Sequence, residues 1–356
     1  MAVIRDVMPA FDLLQPNSAA EAQKLLQQND DVWVMAGGLD SFDWLKDRIK
    51  KPKVLVDLSG VEELKGIRAT SDGPRPSLEI GAMTTLTEIA NHPAIQKDYG
   101  VLAQAVSLVA SPQIRNQGTL GGNVSQDVRC WYYRGGWPCY RAGGNICYAD
   151  TPVGRNREHA IFGANRCVAV HPSDSVPALI VLDAKFVVQT AKGEQVVDVE
   201  DYFVGPEADI TRINMLRPGD LLTAIRIPAT WGGAKFYFEK VRDRNVWDFP
   251  LMNVASAIKL NGNTVDQIRI AVNAASPRPM RLKAVEDAVR GKPANTETSE
   301  MAGKLAVEGA VPLQFNGYKI PLMRNLVKRA VVGVTQPPMN GAMAANAAAE
   351  EATCRS

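Results

Sequence analysis

The chain has 356 residues, 46% apolar and 22% charged, with 40 Lys and Arg against 38 Asp and Glu. That length holds two or three domains with their own cores, and the near balance of charge argues against nucleic acid or an anionic membrane surface as partner. No apolar run reaches bilayer length, and the start MAVIRDVMPAFDLL, charged at Arg5 and Asp6, does not read as a secretory signal. The expected compartment is the cytoplasm, or the periplasm if a signal-bearing partner carries the chain out.

The first unit, residues 1–59, reads as a small α/β arrangement. Ser18 to Gln28 predicts a helix with Ser18 as its N-cap. DVWVMAGG predicts a strand stopped by Gly37 and Gly38, SFDWLKDRI a helix, and KVLVDLSG a second strand. A second unit, residues 60–230, opens with SLEIGAMTTLTEIANHPAI as strand then helix, and GVLAQAVSLVASPQIRN as a longer helix ended by Pro112. GTLGGNVSQ follows as a glycine-dense turn. Residues 126–170 read as an irregular insertion rich in Gly, Arg, Tyr and Trp, which needs something other than an apolar core to order it. PALIVLDAKFVVQTAKGEQVVDVEDYF alternates as strands turning at Lys192-Gly193, and GDLLTAIRIP closes the unit. Residues 231–332 hold strands (AKFYFEKVRDR, NVASAIKL, QIRIAVNAA) and then helices (MRLKAVEDAVRG, NLVKRAVVGV). The Ala-rich residues 333–356 read as a tail.

Two segments place small residues where a backbone could approach a ligand: AGGLDSF, Ala36 to Phe42, and GTLGGN, Gly118 to Asn123. Successive N–H groups without side chains in the way can converge on phosphate oxygens. Neither segment has the G-x-G-x-x-G or G-x-x-x-x-G-K-[ST] spacing, and either could be a tight turn after a strand.

Cys130, Cys139, Cys147 and Cys167 share one stretch with the spacing C-x8-C-x7-C-x19-C, while Cys354 stands alone. Thiolates suit iron–sulfur clusters and zinc, but the tight C-x2-C pair of a zinc ribbon is missing. Spacing leaves a cluster, zinc, and free or disulfide-bonded cysteines all open. Arg129, Arg134 and Arg141, with Trp131, Tyr132, Tyr133, Trp137 and Tyr140, flank the first thiols; such charge and aromatic bulk would stabilise an anionic cluster and limit solvent. His159 and His171 are further ligand candidates.

AGGLDSFDWLK, IRNQGTLGGN, HPSDSVPALIVLDA, PGDLLTAIRIP, FEKVRDR and ASPRPMRLKAVEDAVRGK resemble, in this order, the flavin subunits of the molybdenum hydroxylases. These include the flavin domain of xanthine dehydrogenase, the carbon monoxide dehydrogenase medium subunit and the FAD subunit of bacterial aldehyde oxidoreductases. The resemblance runs from Phe11 to Val332. It implies an α+β chain: a two-subdomain FAD-binding fold of the vanillyl-alcohol oxidase/PCMH type, then a C-terminal α/β domain as in carbon monoxide dehydrogenase flavoproteins. FAD would lie between the first two units. Backbone amides of Trp33, Val34, Met35, Ala36, Gly37, Gly38, Leu39, Asp40 and Ser41 would wrap its pyrophosphate. Thr119, Gly122 and Asn123 would meet the phosphate and ribitol, Asp174 the flavin or ribityl group, and Leu222 and Lys240 the isoalloxazine. Leu39 stands where the family usually has Thr or Ser. About fifty residues separate GGN from SD, where most relatives have a short connection. Hydroxybenzoyl-CoA reductase and some aldehyde oxidoreductase FAD subunits carry a similar insert that binds a [4Fe–4S] cluster, so the four cysteines would be its ligands.

The implied role is an electron relay, without a catalytic acid, base or nucleophile of its own. A large subunit with the molybdenum cofactor would oxidise an aldehyde, and a small subunit with two [2Fe–2S] clusters would feed this FAD, which passes electrons to an external acceptor. A complex like hydroxybenzoyl-CoA reductase or xanthine dehydrogenase is the alternative within the family. A standalone flavin oxidase or reductase of the superfamily, and a zinc-stabilised interaction module, are the alternatives outside it. The flavin loops and the cysteines are expected to form separate sites.

Overall fold

The computed structural model describes residues 8–71 and 75–333; the tail expected at 333–356 falls outside them from residue 334 onward. Three sheets follow one another along the chain. In the first, Val32–Met35 and Val54–Asp57 pair in parallel, and Asp12–Leu14 adds on the other side of Val54–Asp57. A parallel pair needs a crossover, and helix Leu39–Lys46 lies within it. Helix Ala19–Gln28 starts where its cap demands, with Ser18 Oγ accepting from Glu21 N at 3.1 Å. It buries Ala22 and Leu26 against Val54, Val56 and Leu221. Strand Asp12–Leu14 was not foreseen, because three residues, two of them exposed, carry no alternation to read.

The second sheet has five strands in the order Ile67–Ala69, Leu78–Gly81, Leu221–Ile227, Lys185–Thr190 and Gly193–Asp198, all antiparallel. Thr190 pairs with Gly193, so the hairpin turns at Ala191-Lys192, and Gly193 sits at φ +106°. Two expectations need correction. PALIV belongs to helix Ser175–Val181, with Leu182 as its C-cap, not to a strand. Every residue of that helix is buried, and an apolar run covered on all sides has no periodicity that separates helix from strand. The long helix expected up to Pro112 stops at Ser107; Pro112 is instead the first residue of helix Pro112–Arg115, capped by Ser111.

The third sheet runs Met280–Arg281, Thr264–Asn273, Met252–Asn261, Lys235–Val241, also antiparallel. Helices Lys283–Val289, Thr296–Ala306 and Lys319–Val332 cover Val254, Ile258, Ile270 and Val272 on one face. The second of these, capped by Asn295, was missed because its TETSEMAGKLA sequence is weakly apolar. On the other face Ala255, Ala257 and Ala271 join the core built around helices Gly100–Ser107 and Ser175–Val181 and the second sheet. One apolar core therefore crosses from the second sheet to the third. The cysteine insertion contains only short turns, such as Trp131–Arg134 and Tyr148–Asp150, and an isolated bridge between Cys139 and Cys147.

Candidate functional site

Both glycine segments prove to be helix N-termini. Gly38 takes a left-handed φ of +79°, and helix Leu39–Lys46 begins immediately after it with no side-chain cap. The N–H groups of Leu39, Asp40 and Ser41 therefore have no intrahelical acceptor, which makes this end attractive to an anion. Gly37 packs on the second segment: a Cβ there would stand 2.3 Å from Gln117 O and 3.1 Å from Gly118 Cα. At the second segment Thr119 caps helix Leu120–Ser125 through Gly122 N at 3.2 Å. Leu120 N and Gly121 N donate to Thr84 O and Ala82 O at 3.0 and 2.8 Å. The first loop thus has amides to offer, and the second has spent its own. What the second loop presents is Thr119, the bare Gly122 surface against Ala36, and Asn123. The Asn123 Oδ1 accepts from Ser173 and Ser175, leaving its Nδ2 for a ligand.

Between these helix ends lies a cleft of about 530 Å³, within the usual range for cofactor sites. Of the residues expected from sequence, Trp33, Val34, Ala36, Gly37, Gly38, Leu39, Asp40, Ser41, Thr119, Gly122, Asn123 and Asp174 line it. Met35, Leu222 and Lys240 do not: Met35 is paired with Asp57, and Leu222 is buried in the core opposite Val188. Sequence reading missed Ala110, Asp127, Arg129, Trp247 and Phe249. The strap carrying Trp247 and Phe249 is anchored by Trp247 N donating to Ala110 O at 2.8 Å, with Ala110 and Trp247 both at positive φ, +43° and +56°. Nothing in local sequence announces that contact.

Lys240 lies behind the cleft wall with its side chain 1% exposed. Its ammonium donates to Asp174 Oδ2 at 2.6 Å, Leu108 O at 3.0 Å and Asp248 O at 2.7 Å. Asn253 Nδ2 donates to the other oxygen of Asp174 at 3.0 Å. Burial pushes the Asp174 carboxyl up, while Lys240 and Asn253 pull against that shift. The cleft's size, its glycine cradle and its uncapped helix end fit a dinucleotide pyrophosphate.

All four cysteines of the insertion line one small cavity of about 10 Å³, with Tyr132, Tyr133, Tyr148 and Arg141 among its other walls. None forms a disulfide. Burial pushes the Cys130 thiol up to about 12, the Cys167 thiol to about 11, and that of Cys147 upward. Among the described residues no three or more His, Cys, Asp or Glu side chains are drawn together closely enough to hold a metal ion. The donor set itself, four soft thiols without a carboxylate, suits iron and sulfide. His159 Nε2 stands 3.3 Å from Cys130 Sγ; burial, with Lys319 nearby, lowers its pKa to about 4. His171 packs on Phe203 away from that cavity, lowered by burial to about 3. Trp131 is 73% exposed and does not line the cavity, whereas Tyr132 and Tyr133 do. The two cavities share no lining residue, yet they adjoin: Arg129 lines the flavin-sized cleft and immediately precedes Cys130.

Residues 9–230 match the family model described as the FAD binding domain in molybdopterin dehydrogenase, and residues 236–334 match the CO dehydrogenase flavoprotein C-terminal domain. The aldehyde oxidoreductase FAD-binding subunit PaoB of Escherichia coli (strain K12) is 34% identical over 78% of this chain and 86% of its own. The carbon monoxide dehydrogenase medium chain of Hydrogenophaga pseudoflava is 28% identical over 91% of this chain and 97% of its own. A solved carbon monoxide dehydrogenase from that organism, lacking the Mo-pyranopterin moiety of its cofactor, superposes with a TM-score of 0.71 at 27% identity, covering 91% and 97% of the two chains. The chain belongs to the FAD-binding subunits of the molybdenum hydroxylase family and is an oxidoreductase subunit. Among the described residues no helix is long and apolar enough to cross a membrane.

Proposed function

We propose that the chain is the flavin relay of a heteromeric, molybdenum-dependent aldehyde oxidoreductase. In this reading a large partner subunit with the molybdenum cofactor oxidises the aldehyde. A small partner subunit with [2Fe–2S] clusters delivers the electrons, which leave through this chain to an external acceptor. The observation that carries the proposal is the cleft in which the uncapped helix end at Leu39 meets the Thr119–Asn123 segment. The aldehyde assignment is supported by the 34% identity to an aldehyde oxidoreductase FAD-binding subunit.

FAD, when bound, accepts electrons from one partner and yields them to another. The chain's own residues bind and orient it. Amides of Leu39, Asp40 and Ser41 would hold the pyrophosphate, Thr119 and Asn123 the ribityl side, and Asp174, itself held by Lys240, the flavin end. Cys130, Cys139, Cys147 and Cys167 are the proposed ligands of a [4Fe–4S] cluster, supported by their shared cavity and uniform thiol chemistry.

Co-expressed with its neighbouring subunits, the chain purifies yellow-brown with one flavin and about four irons. Gly122→Phe, whose side chain fills the space between Thr119 and Ala36, gives flavin-free protein. Cys139→Ser gives protein without that iron. A folded chain that neither contains nor takes up flavin overturns the relay reading, and zinc in place of iron overturns the cluster.

A further inference from the structure

The cleft is lined by Asp40, Asp43, Asp127, Asp174 and Asp248 but only by Lys46 and Arg129 among the bases. That is an awkward lining for a ligand whose pyrophosphate carries two negative charges. Each carboxylate left unneutralised would repel the phosphate charges at close range, where water screens them only in part. Yet Asp40 belongs to the first turn of the helix whose amides must meet that phosphate.

Asp174 is answered by Lys240 and Asp248 by Arg244, whereas the cations that answer Asp40, Asp43 and Asp127 come from the cysteine insertion. Arg129 Nη1 bonds Asp40 Oδ1, and its Nη2 lies 3.4 Å from Asp43. Arg134 Nη2 reaches the same Asp40 oxygen at 2.8 Å without itself lining the cleft. Arg141 Nη2 reaches Asp127 at 2.5 Å. Neither of the last two is free to wander. The Arg134 guanidinium stacks 3.8 Å over Trp44 and donates to Val128 O, and Arg141 donates to Ile210 O at 2.7 Å. Trp44 Nε1 donates to the second Asp40 oxygen at 2.9 Å.

We propose that the cysteine segment is an electrostatic part of the flavin site: Arg129, Arg134 and Arg141 neutralise Asp40 and Asp127, and thereby admit a pyrophosphate to the cleft. Arg134 and Arg141 act as positioning residues, touching carboxylates and not the ligand. The inference rests on FAD occupying this cleft, with Asp40 meeting it through its backbone amide.

The test measures FAD affinity of the flavin-stripped complex. Arg134→Met weakens FAD at least tenfold, and the loss shrinks as salt is raised, because ions screen a like-charge contact at a partly exposed carboxylate. Asp40→Asn alone binds FAD as tightly as wild type or more tightly. The Asp40→Asn/Arg134→Met pair returns to within about threefold of wild type, the coupling expected of two groups in one interaction. Unchanged affinity in Arg134→Met overturns the proposal. So does a double variant as weak as the single one, since Arg134 would then act by packing. If Arg134→Met does not fold, weakened binding in Asp40→Asn overturns it independently. Failure of the cleft assignment itself looks different: Gly122→Phe would then retain its flavin.

Discussion

Lys319 shows how much a single residue can bias this molecule. Its side chain is fully buried, and its ammonium donates to Glu158 O and Ala274 O, each at 2.8 Å, with no carboxylate bonded to it. Burial pulls its pKa down from 10.5 to about 7. Between those values the unfolded chain holds a proton that the folded chain has released, so this group makes stability rise with pH; below about 7 its penalty is fully present. The slope approaches about 1.4 kcal/mol per pH unit. Urea midpoints at pH 7 and pH 9 should therefore differ in a direction that Lys319→Met abolishes, and identical pH dependence in both proteins would refute the assignment. Lys240 poses the opposite case, a buried cation with a buried anion. Lys240→Met leaves Asp174 uncompensated and should cost about 3–5 kcal/mol, whereas Asp174→Asn/Lys240→Met should cost much less. Equal losses in denaturant melts of the single and double variants would mean that the pair is not coupled.

At the level of elements, the site is a contact between two helix beginnings, and its glycines are there for that contact. Gly37→Ala would drive a methyl onto the Gln117 carbonyl. The expected outcome is separated loops, loss of bound flavin visible in the absorbance ratio, and destabilisation of about 1–3 kcal/mol. A flavin-replete Gly37→Ala protein would show that the loops need not touch. The positions of both loops were legible in the sequence because small residues followed apolar runs. Which loop has amides to give was not legible, since the acceptors that consume Leu120 N and Gly121 N come from Thr84 and Ala82, far back in the chain. Helix Ser175–Val181 was misread because burial on every side erases the periodicity that distinguishes it from a strand. The abutting of cysteine segment and flavin helix was equally hidden, because Arg129 and Arg134 find Asp40 across 89 and 94 residues.

Across the whole molecule, the insertion ties the flavin half to the C-terminal half. Asn316 Nδ2 donates to His159 O and Ala160 O, both at 3.0 Å, while its Oδ1 accepts from Leu313 N at 2.6 Å. Phe315 N donates to Asn156 Oδ1, and Ile161 N and Phe162 N both donate to Ala275 O. Arg157 closes a two-pronged pair with Asp243 at 2.7 and 2.8 Å. A segment with so little regular structure is ordered by borrowing partners from its neighbours, so its opening cannot be independent of theirs. Asn316 is fully buried, and truncating it strands two buried carbonyls and leaves the partly buried Leu313 amide without its acceptor. Asn316→Ala should cost about 2–4 kcal/mol, and amide exchange should accelerate together in residues 156–162 and 311–319. Acceleration confined to 311–319 would mean that the insertion is held from the flavin side alone, through Asp40 and Asp127. Acceleration in both would make the cysteine segment the strut through which the C-terminal half bears on the flavin cleft.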